Sequence, residues 1–276
     1  MRARAERIGL LALPGLSFLA VVYALPLFML LLKSFQIDGQ FSVAEYVTFF
    51  TDSYNLSVLW RTLRVALLTT LLALIIAYPT AIVMARTKGI WLSVFLVAMV
   101  LPMSVGVVVK AFAWTILFRT RGVLNDTLLS LGITEAPIRM LFTETALIIG
   151  AANVFLPFMV LPIYAVLRQL DQRLPEAASS LGATPVFRFM NVTLPLSLPG
   201  VVAGSAFTFS LAISMYVIPS LIVGERQQTL SMLTARSFLY LRNEALGATI
   251  SSILLIIAIS VVLGSSWLAS RLGARS

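Results

Sequence analysis

The stretch LPEAASSLGATPVFRFMNVTLP, Leu174 to Pro195, is a polar island set between two runs apolar enough to cross a bilayer. Pro175 suits the first position of a helix, where its missing N–H costs nothing. Glu176 then falls in the first turn, where a carboxylate complements the helix dipole. Ala177 and Ala178 are small and strongly helix-forming, so another surface can approach them closely. Gly182 suits the left-handed residue that ends a helix. Thr184 before Pro185 reads as an N-cap followed by a first-position proline, so a second helix starts at once. Val186, Phe187, Phe189, Met190 and Val192 give that helix apolar faces, and Leu194-Pro195 leads into the next apolar run. The island predicts a short helix, a sharp glycine turn and a second helix, standing out of the membrane as a rigid knob. Its local physics leaves two uses open: a hairpin that caps the bundle, or a contact for another molecule.

The rest of the chain is greasy. Of 276 residues, 59% are hydrophobic and 11% charged, with a mean hydropathy of +0.99; a soluble domain carries about 25% charged residues. Crossing the roughly 30 Å hydrocarbon core takes about 20 apolar residues. Six stretches qualify, at about 10–33, 62–85, 91–118, 143–167, 194–223 and 247–270, with the island occupying 168–193. Each must satisfy its own backbone hydrogen bonds in lipid, which selects helices. The expected fold is all-α, a multi-pass membrane protein forming one domain over 1–276. The first span is too long for a signal-peptide core and is followed by no small-residue cleavage site, so it is expected to stay.

Several chemistries drop out. With no Cys and no His, disulfides, thiol nucleophiles, imidazole acid–base catalysis and the usual zinc sites are excluded, and no metal site is expected. The net charge of +9 comes from basic residues scattered over loop ends, with no run of the kind that marks a nucleic-acid patch. They read as anchors flanking membrane lipid. There is no G-x-x-x-x-G-K-[ST] loop to cradle nucleotide phosphates.

Six spans put both termini on one side. The 20 Lys and Arg divide evenly between the two sides, so positive-inside counting separates them only by density. That is higher on the terminal side, where loops are shorter, and favours cytoplasmic termini. The opposite loops, about 34–61, 119–142 and 224–246, carry most of the acids and alternate apolar with polar residues, as in Phe41 to Phe50. They read either as a platform for a soluble partner or as short connectors packed on the bundle.

Pro14, Pro26, Pro79, Pro102, Pro157, Pro162, Pro199 and Pro219 fall within or near spans. Each removes a helical hydrogen bond and crowds the preceding turn, which predicts a kinked bundle, although proline is in any case commoner in membrane helices. Lys110 is the one charge well inside a span. It lies about eight residues from the outer end of its helix, roughly 12 Å deep, where it either snorkels or marks a pathway or gate. Glu144 is its expected partner. Trp114, Phe209, Tyr216, Asn153, Ser210 and Ser214 are candidates to line a solute path, against the alternative that they only pack the helices. No carboxylate sits deep in a span, which argues against a proton relay.

The spacing E-A-A, three residues, G, nine residues, an aliphatic, one residue, L-P occurs at Glu176-Ala177-Ala178, Gly182, Val192 and Leu194-Pro195. It resembles the EAA loop of permease subunits in binding-protein-dependent ABC importers, and the resemblance extends from about Ala12 to Leu272. Arg61 to Leu67, Val109 to Trp114 with Gly122 to Asn125, and Phe155 to Pro162 look like the polyamine (spermidine/putrescine)-type branch. Sister branches for iron, sulfate, phosphonate or amino-acid-like solutes share much of this.

The resemblance implies that the island is a cytoplasmic coupling helix, with Glu176, Ala177, Ala178, Gly182, Leu194 and Pro195 engaging an ATPase. It implies a bacterial inner-membrane location with both termini cytoplasmic, a second permease subunit, an ABC ATPase dimer carrying ATP and Mg, and a periplasmic solute-binding protein. This chain would bind no cofactor and catalyse nothing itself. Glu135 and Glu225, on the outer loops, are then candidate contacts for the binding protein. A passive channel would need no ATPase. A membrane hydrolase would have to use Lys110 with Ser104, six residues apart on one helix and on nearly opposite faces.

Overall fold

The computed structural model describes residues 14–37, 39–171 and 173–273. The expectations for residues 10–13 of the first span therefore lie outside the described residues. Twelve helical segments carry almost all of the described structure. They are α1 (Pro14–Lys33), α2 (Ala44–Thr51), α3 (Ser53–Arg86), α4 (Ile90–Ser104), α5 (Val107–Leu117), α6 (Val123–Ser130), α7 (Glu144–Gln169), α8 (Arg173–Ser180), α9 (Pro185–Ser214), α10 (Val217–Ile222), α11 (Leu230–Leu239) and α12 (Glu244–Gly273). The exception to helix is a small antiparallel hairpin, β1 (Gln36–Ile37) with β2 (Gln40–Phe41), turned at Gly39 with φ +79°. Among the described residues α1, α3, α7, α9 and α12 are long and apolar enough to cross a membrane, and α4 with α5 makes a sixth span if the bent pair is taken as one.

The chain forms two compact units. The smaller joins residues 1–56 to 233–255. Within it Lys33 at the end of α1 pairs with Glu244 at the start of α12, and the Ser34 carbonyl accepts from Thr249 Oγ1 at 3.3 Å. Phe35 stacks on Phe41 and Tyr46 at 5.6 and 5.0 Å between centroids. Gly247 lies close under an aromatic ring: a Cβ there would come 2.7 Å from the Phe238 ring, which would have to shift.

The larger unit, 57–232 with 256–276, is organised around α7, the most buried of the candidate spans. Ala73, Ala77, Ala81 and Met84 repeat every three or four residues on α3 and are fully buried with Ala152, Met159, Val160 and Ile163 of α7. Small side chains at that spacing let membrane helices approach closely. On α9 the pair Gly200-x-x-x-Gly204 does the same: a Cβ would come within 2.9 Å of the Pro162 carbonyl at Gly200 and 3.0 Å of the Met159 carbonyl at Gly204. Tyr78 of α3 and Ser197 of α9 share a 2.7 Å hydrogen bond beside this contact.

Three expectations about spans need correction. The third span is no straight helix: α4 and α5 meet at 99°, with Val105 extended and Gly106 capping α5. A β-branched residue beside glycine is a weak place to continue a helix. The 12 Å depth for Lys110 assumed a straight helix and does not apply, and Ser104 and Lys110 stand on different helices. The fifth span begins at Pro185 and stops at Ser214, where Met215 is extended and α10 starts afresh. Pro219 accounts for the stop, because its ring would clash with the carbonyl four residues back, that of Met215. Finally, α3 runs nine residues further towards the N-terminus than the apolar count suggests, since its first turns lie outside the greasy run.

Candidate functional site

The island folds much as its punctuation dictates. Helix α8 ends at Ser180; Gly182 takes φ +81° and its N–H reaches back to the Ser179 carbonyl at 3.0 Å, while Ala183 N–H bonds the Ala178 carbonyl at 3.0 Å. Thr184 Oγ1 accepts from Phe187 N–H at 3.3 Å, with Pro185 beginning α9. Arg188 donates to Ser179 and ties the two arms together. The side chain of Glu176 lies outside the described residues. Two things differ from expectation: α8 begins at Arg173, two residues before Pro175, and the second arm is not a separate helix but the first turns of the 30-residue α9.

Leu194-Pro195 has a local physical role in that continuity. Residues Phe189–Thr193 form a π turn closed by Leu194 N–H on the Phe189 carbonyl. Proline at 195 cannot donate and crowds the carbonyl of Asn191, four residues back; widening the turn relieves both. The same pattern recurs at Ala20–Ala24, closed by Leu25 N–H just before Pro26. Leu194 and Pro195 therefore mark the joint between hairpin arm and membrane span, while Ala177, Ala178 and Gly182 belong to the hairpin itself.

The hairpin turns apolar side chains outward. Leu181 is 88% exposed, and Val186, Phe187 and Met190 are also exposed. A groove of about 420 Å³ is lined by Ala178, Leu181, Gly182, Ala183, Thr184 and Phe187. No atom of a described residue lies within 4 Å of where a Cβ would stand at Gly182, so its positive φ, and not crowding among those residues, limits that position. Sequence reasoning missed Leu181, although a lone leucine before a helix-ending glycine is a readable signal.

The candidate path residues are only partly brought together. Trp114 Nε1 donates to Asn153 Oδ1 at 3.3 Å, joining α5 to α7. Gly150 makes room for Ile222 beside this bond: a Cβ there would lie 2.8 Å from Ile222 Cδ1 and in ordinary contact, 3.6 Å, with Trp114. The pieces beyond both broken spans, α5 and α10, thus converge on one turn of α7. Ser214 Oγ bonds the Ser210 carbonyl at 2.8 Å, while Ser210 Oγ is buried without a hydrogen-bond partner among the described residues. Tyr216 is exposed in the break itself. Phe209 does not join them; it lines an apolar groove with Leu67, Val201, Val261 and Leu268. Lys110 is half-buried and makes no ion pair with a described residue.

Glu144 is taken elsewhere, which corrects its pairing with Lys110. It accepts from Arg64 at 2.6 Å and lies 3.5 Å from Arg61 Nε, so both arginines of Arg61-Thr-Leu-Arg64 fasten α3 to the start of α7. Between them Thr62 Oγ1 receives the Leu230 N–H at 2.9 Å, and Arg61 also reaches the Gln228 carbonyl at 3.2 Å. Asn125 is fully buried. It donates to the Arg119 and Ile138 carbonyls at 3.0 Å each and accepts from Ile138 N–H at 2.8 Å, stapling the 119–138 loop. Glu135 and Glu225 are exposed on this side.

The family described as "Binding-protein-dependent transport system inner membrane component" matches residues 10–273. The chain is 34% identical over 210 residues, 76% of this chain and 73% of the relative, to the spermidine/putrescine transport system permease protein PotB of Haemophilus influenzae. It is 34% identical over 235 residues, 77% and 74% of the two chains, to the inner membrane ABC transporter permease protein YdcU of Escherichia coli. Its fold is similar to a chain in the crystal structure of a bacterial ABC transporter involved in the import of the acidic polysaccharide alginate, with a TM-score of 0.75, 17% identity and coverage of 98% and 96%. A chain of the MetNI methionine ABC transporter in an inward-facing conformation gives a TM-score of 0.58 at 17% identity, covering 77% and 93%.

Proposed function

The chain belongs to the family of binding-protein-dependent transport system inner membrane components, and from that premise we propose that it is the permease subunit of an ABC importer for a polyamine or a related cationic amino compound. The polyamine assignment is supported by 34% identity to a permease named for spermidine and putrescine. The observation that carries the coupling mechanism is the helix–Gly182–helix hairpin whose second arm runs unbroken into a membrane span. An ATPase surface gripping Leu181, Gly182 and Phe187 would move α9 as a lever, because no loop separates the gripped turn from the span.

In this reading the hairpin and both termini are cytoplasmic. A separate ATPase dimer binds ATP and Mg and hydrolyses the nucleotide, and this chain holds no cofactor. A second permease completes the translocation path, and a periplasmic solute-binding protein delivers solute to the side that carries Glu135 and Glu225. Trp114, Asn153, Ser210, Ser214 and Tyr216 line the path where the broken spans meet, with Lys110 one turn from Trp114 on α5. ATP binding and hydrolysis supply the free energy, and differential contacts of the ATPase with the hairpin in its open and closed states transmit it to alternating access.

The test is uptake of labelled spermidine and putrescine by cells that lack their own systems and express this chain with its partner subunits. Uptake by the wild type, and its loss in Gly182→Trp at unchanged membrane abundance, is expected. Import of another solute but neither polyamine would overturn the solute, and normal uptake by Gly182→Trp would overturn the coupling.

A further inference from the structure

We propose that the cavity where α3 ends, α4 begins and α7 ends binds the phosphate of an anionic phospholipid. It holds about 700 Å³, and its wall includes Arg86, Lys88 and Arg168 together with Thr87, Gly89 and Tyr164, with no Asp or Glu among the lining residues. None of the three cations forms an ion pair with a described residue. Arg168 is held in place by its hydrogen bond to Tyr164 Oη at 2.6 Å, with its guanidinium 5.8 Å from that ring's centroid. A guanidinium fixed through one N–H keeps its other donors for an anion.

The backbone adds to the same potential. Gly89 takes φ +65° and caps α4 without any side-chain hydrogen bond, so the positive end of a 15-residue helix faces the cationic wall. An anion surrounded by three cations and a helix N-terminus is stabilised by each of them.

Two observations select a lipid over free phosphate. Trp91, two residues past Gly89, is 67% exposed, and exposed tryptophan marks the headgroup level of a bilayer. From there Ile90, Val94, Val97 and Leu101 form an exposed apolar stripe along one face of α4. Phosphate in the cavity with acyl chains along the stripe matches both, whereas a free ion has no use for the stripe. Basic pockets between helix ends at the membrane surface are a known way of holding anionic headgroups.

The proposal rests on reading α3, α4 and α7 as membrane spans, not on the solute or the direction of transport. A failed uptake assay leaves it standing, and a failed lipid assay leaves the transport reading standing.

The experiment is native mass spectrometry of the full chain, with whatever subunits co-purify, released from detergent after titration with dioleoyl phosphatidylglycerol or dioleoyl phosphatidylcholine. The wild type is expected to retain phosphatidylglycerol in preference to phosphatidylcholine. Each of Arg86→Gln and Lys88→Gln, both at exposed positions, should weaken that retention about fivefold. Arg168→Gln should do the same or more, while Arg271→Gln, whose arginine stacks 3.8 Å from the Trp267 ring elsewhere, should leave it unchanged. Equal retention of the two lipids, or an unaltered preference in both exposed variants, would overturn the proposal. So would displacement of phosphatidylglycerol by millimolar inorganic phosphate, which would make it a soluble-anion site, or loss of a co-purifying subunit with lipid retention intact, which would make it a protein contact.

Discussion

The two ends of α7 are built in opposite ways. At its N-terminal end polar groups are used up inside the molecule: Glu144 holds Arg61 and Arg64, Thr62 caps α11, and Asn125 closes the loop that follows α5. Roughly 39 Å away along the helix, the hairpin turns Leu181, Val186 and Phe187 outward. Large apolar side chains clustered in the open mark a surface that another molecule covers. One end is fastened to itself, and the other, on the proposed coupling reading, is the end a partner would cover.

The largest expected effect comes from spoiling the prepared end. Leu181→Asp puts a carboxylate at the most exposed apolar position of the hairpin, 88% open to solvent. Uptake should fall about tenfold or more, with membrane abundance and melting temperature unchanged; a stability loss instead would show that the hairpin packs on its own bundle.

The fastened end should respond in the opposite sense, through stability. Asn125→Ala leaves the Ile138 N–H and two carbonyls without their partner in a buried place, costing about 2–3 kcal/mol. Thermal unfolding of the detergent-solubilised protein measures this. Glu144→Gln should cost less, about 1 kcal/mol, because Arg64 is 47% exposed and solvent screens the pair. If either variant lost uptake while keeping full thermal stability, the division between the two ends would fail.

How much of this division is legible in the sequence depends on distance along the chain. The hairpin turn is local: Gly182, Thr184 and Pro185 set it from their own backbone preferences, so their order predicts the shape, although α8 starts at Arg173 and not at Pro175. The bond of Glu144 to arginines about 80 residues earlier has no local signal, and only a straight third span would bring Lys110 nearer to it. The break at Val105-Gly106 has weak helix formers to announce it, but its 99° angle is set by packing of α5 against α7 and α10. That Leu194-Pro195 widens the helix into a π turn is readable afterwards from the repeat at Leu25-Pro26, and not from either pair alone.

Smaller effects would sharpen the picture between the ends. Asn153→Ala removes the hydrogen bond to Trp114 and should raise the KM for uptake about threefold, with stability little changed; an unaltered KM would take Asn153 out of the solute path. Charge reversal at Glu135 or Glu225 should reduce stimulation of ATP hydrolysis by the binding protein about twofold at low salt, and less at high salt. A response that ignores salt would remove these residues from that interface.

Because the chain contains no Cys, a single one introduced at Leu181 is a unique thiol, and its partner can be read by cross-linking in membranes that carry the co-expressed subunits. The account predicts an adduct with the nucleotide-binding subunit from position 181 and none from a cysteine at exposed Leu131, near the fastened end. No adduct from 181, or one from 131 in its place, would contradict it.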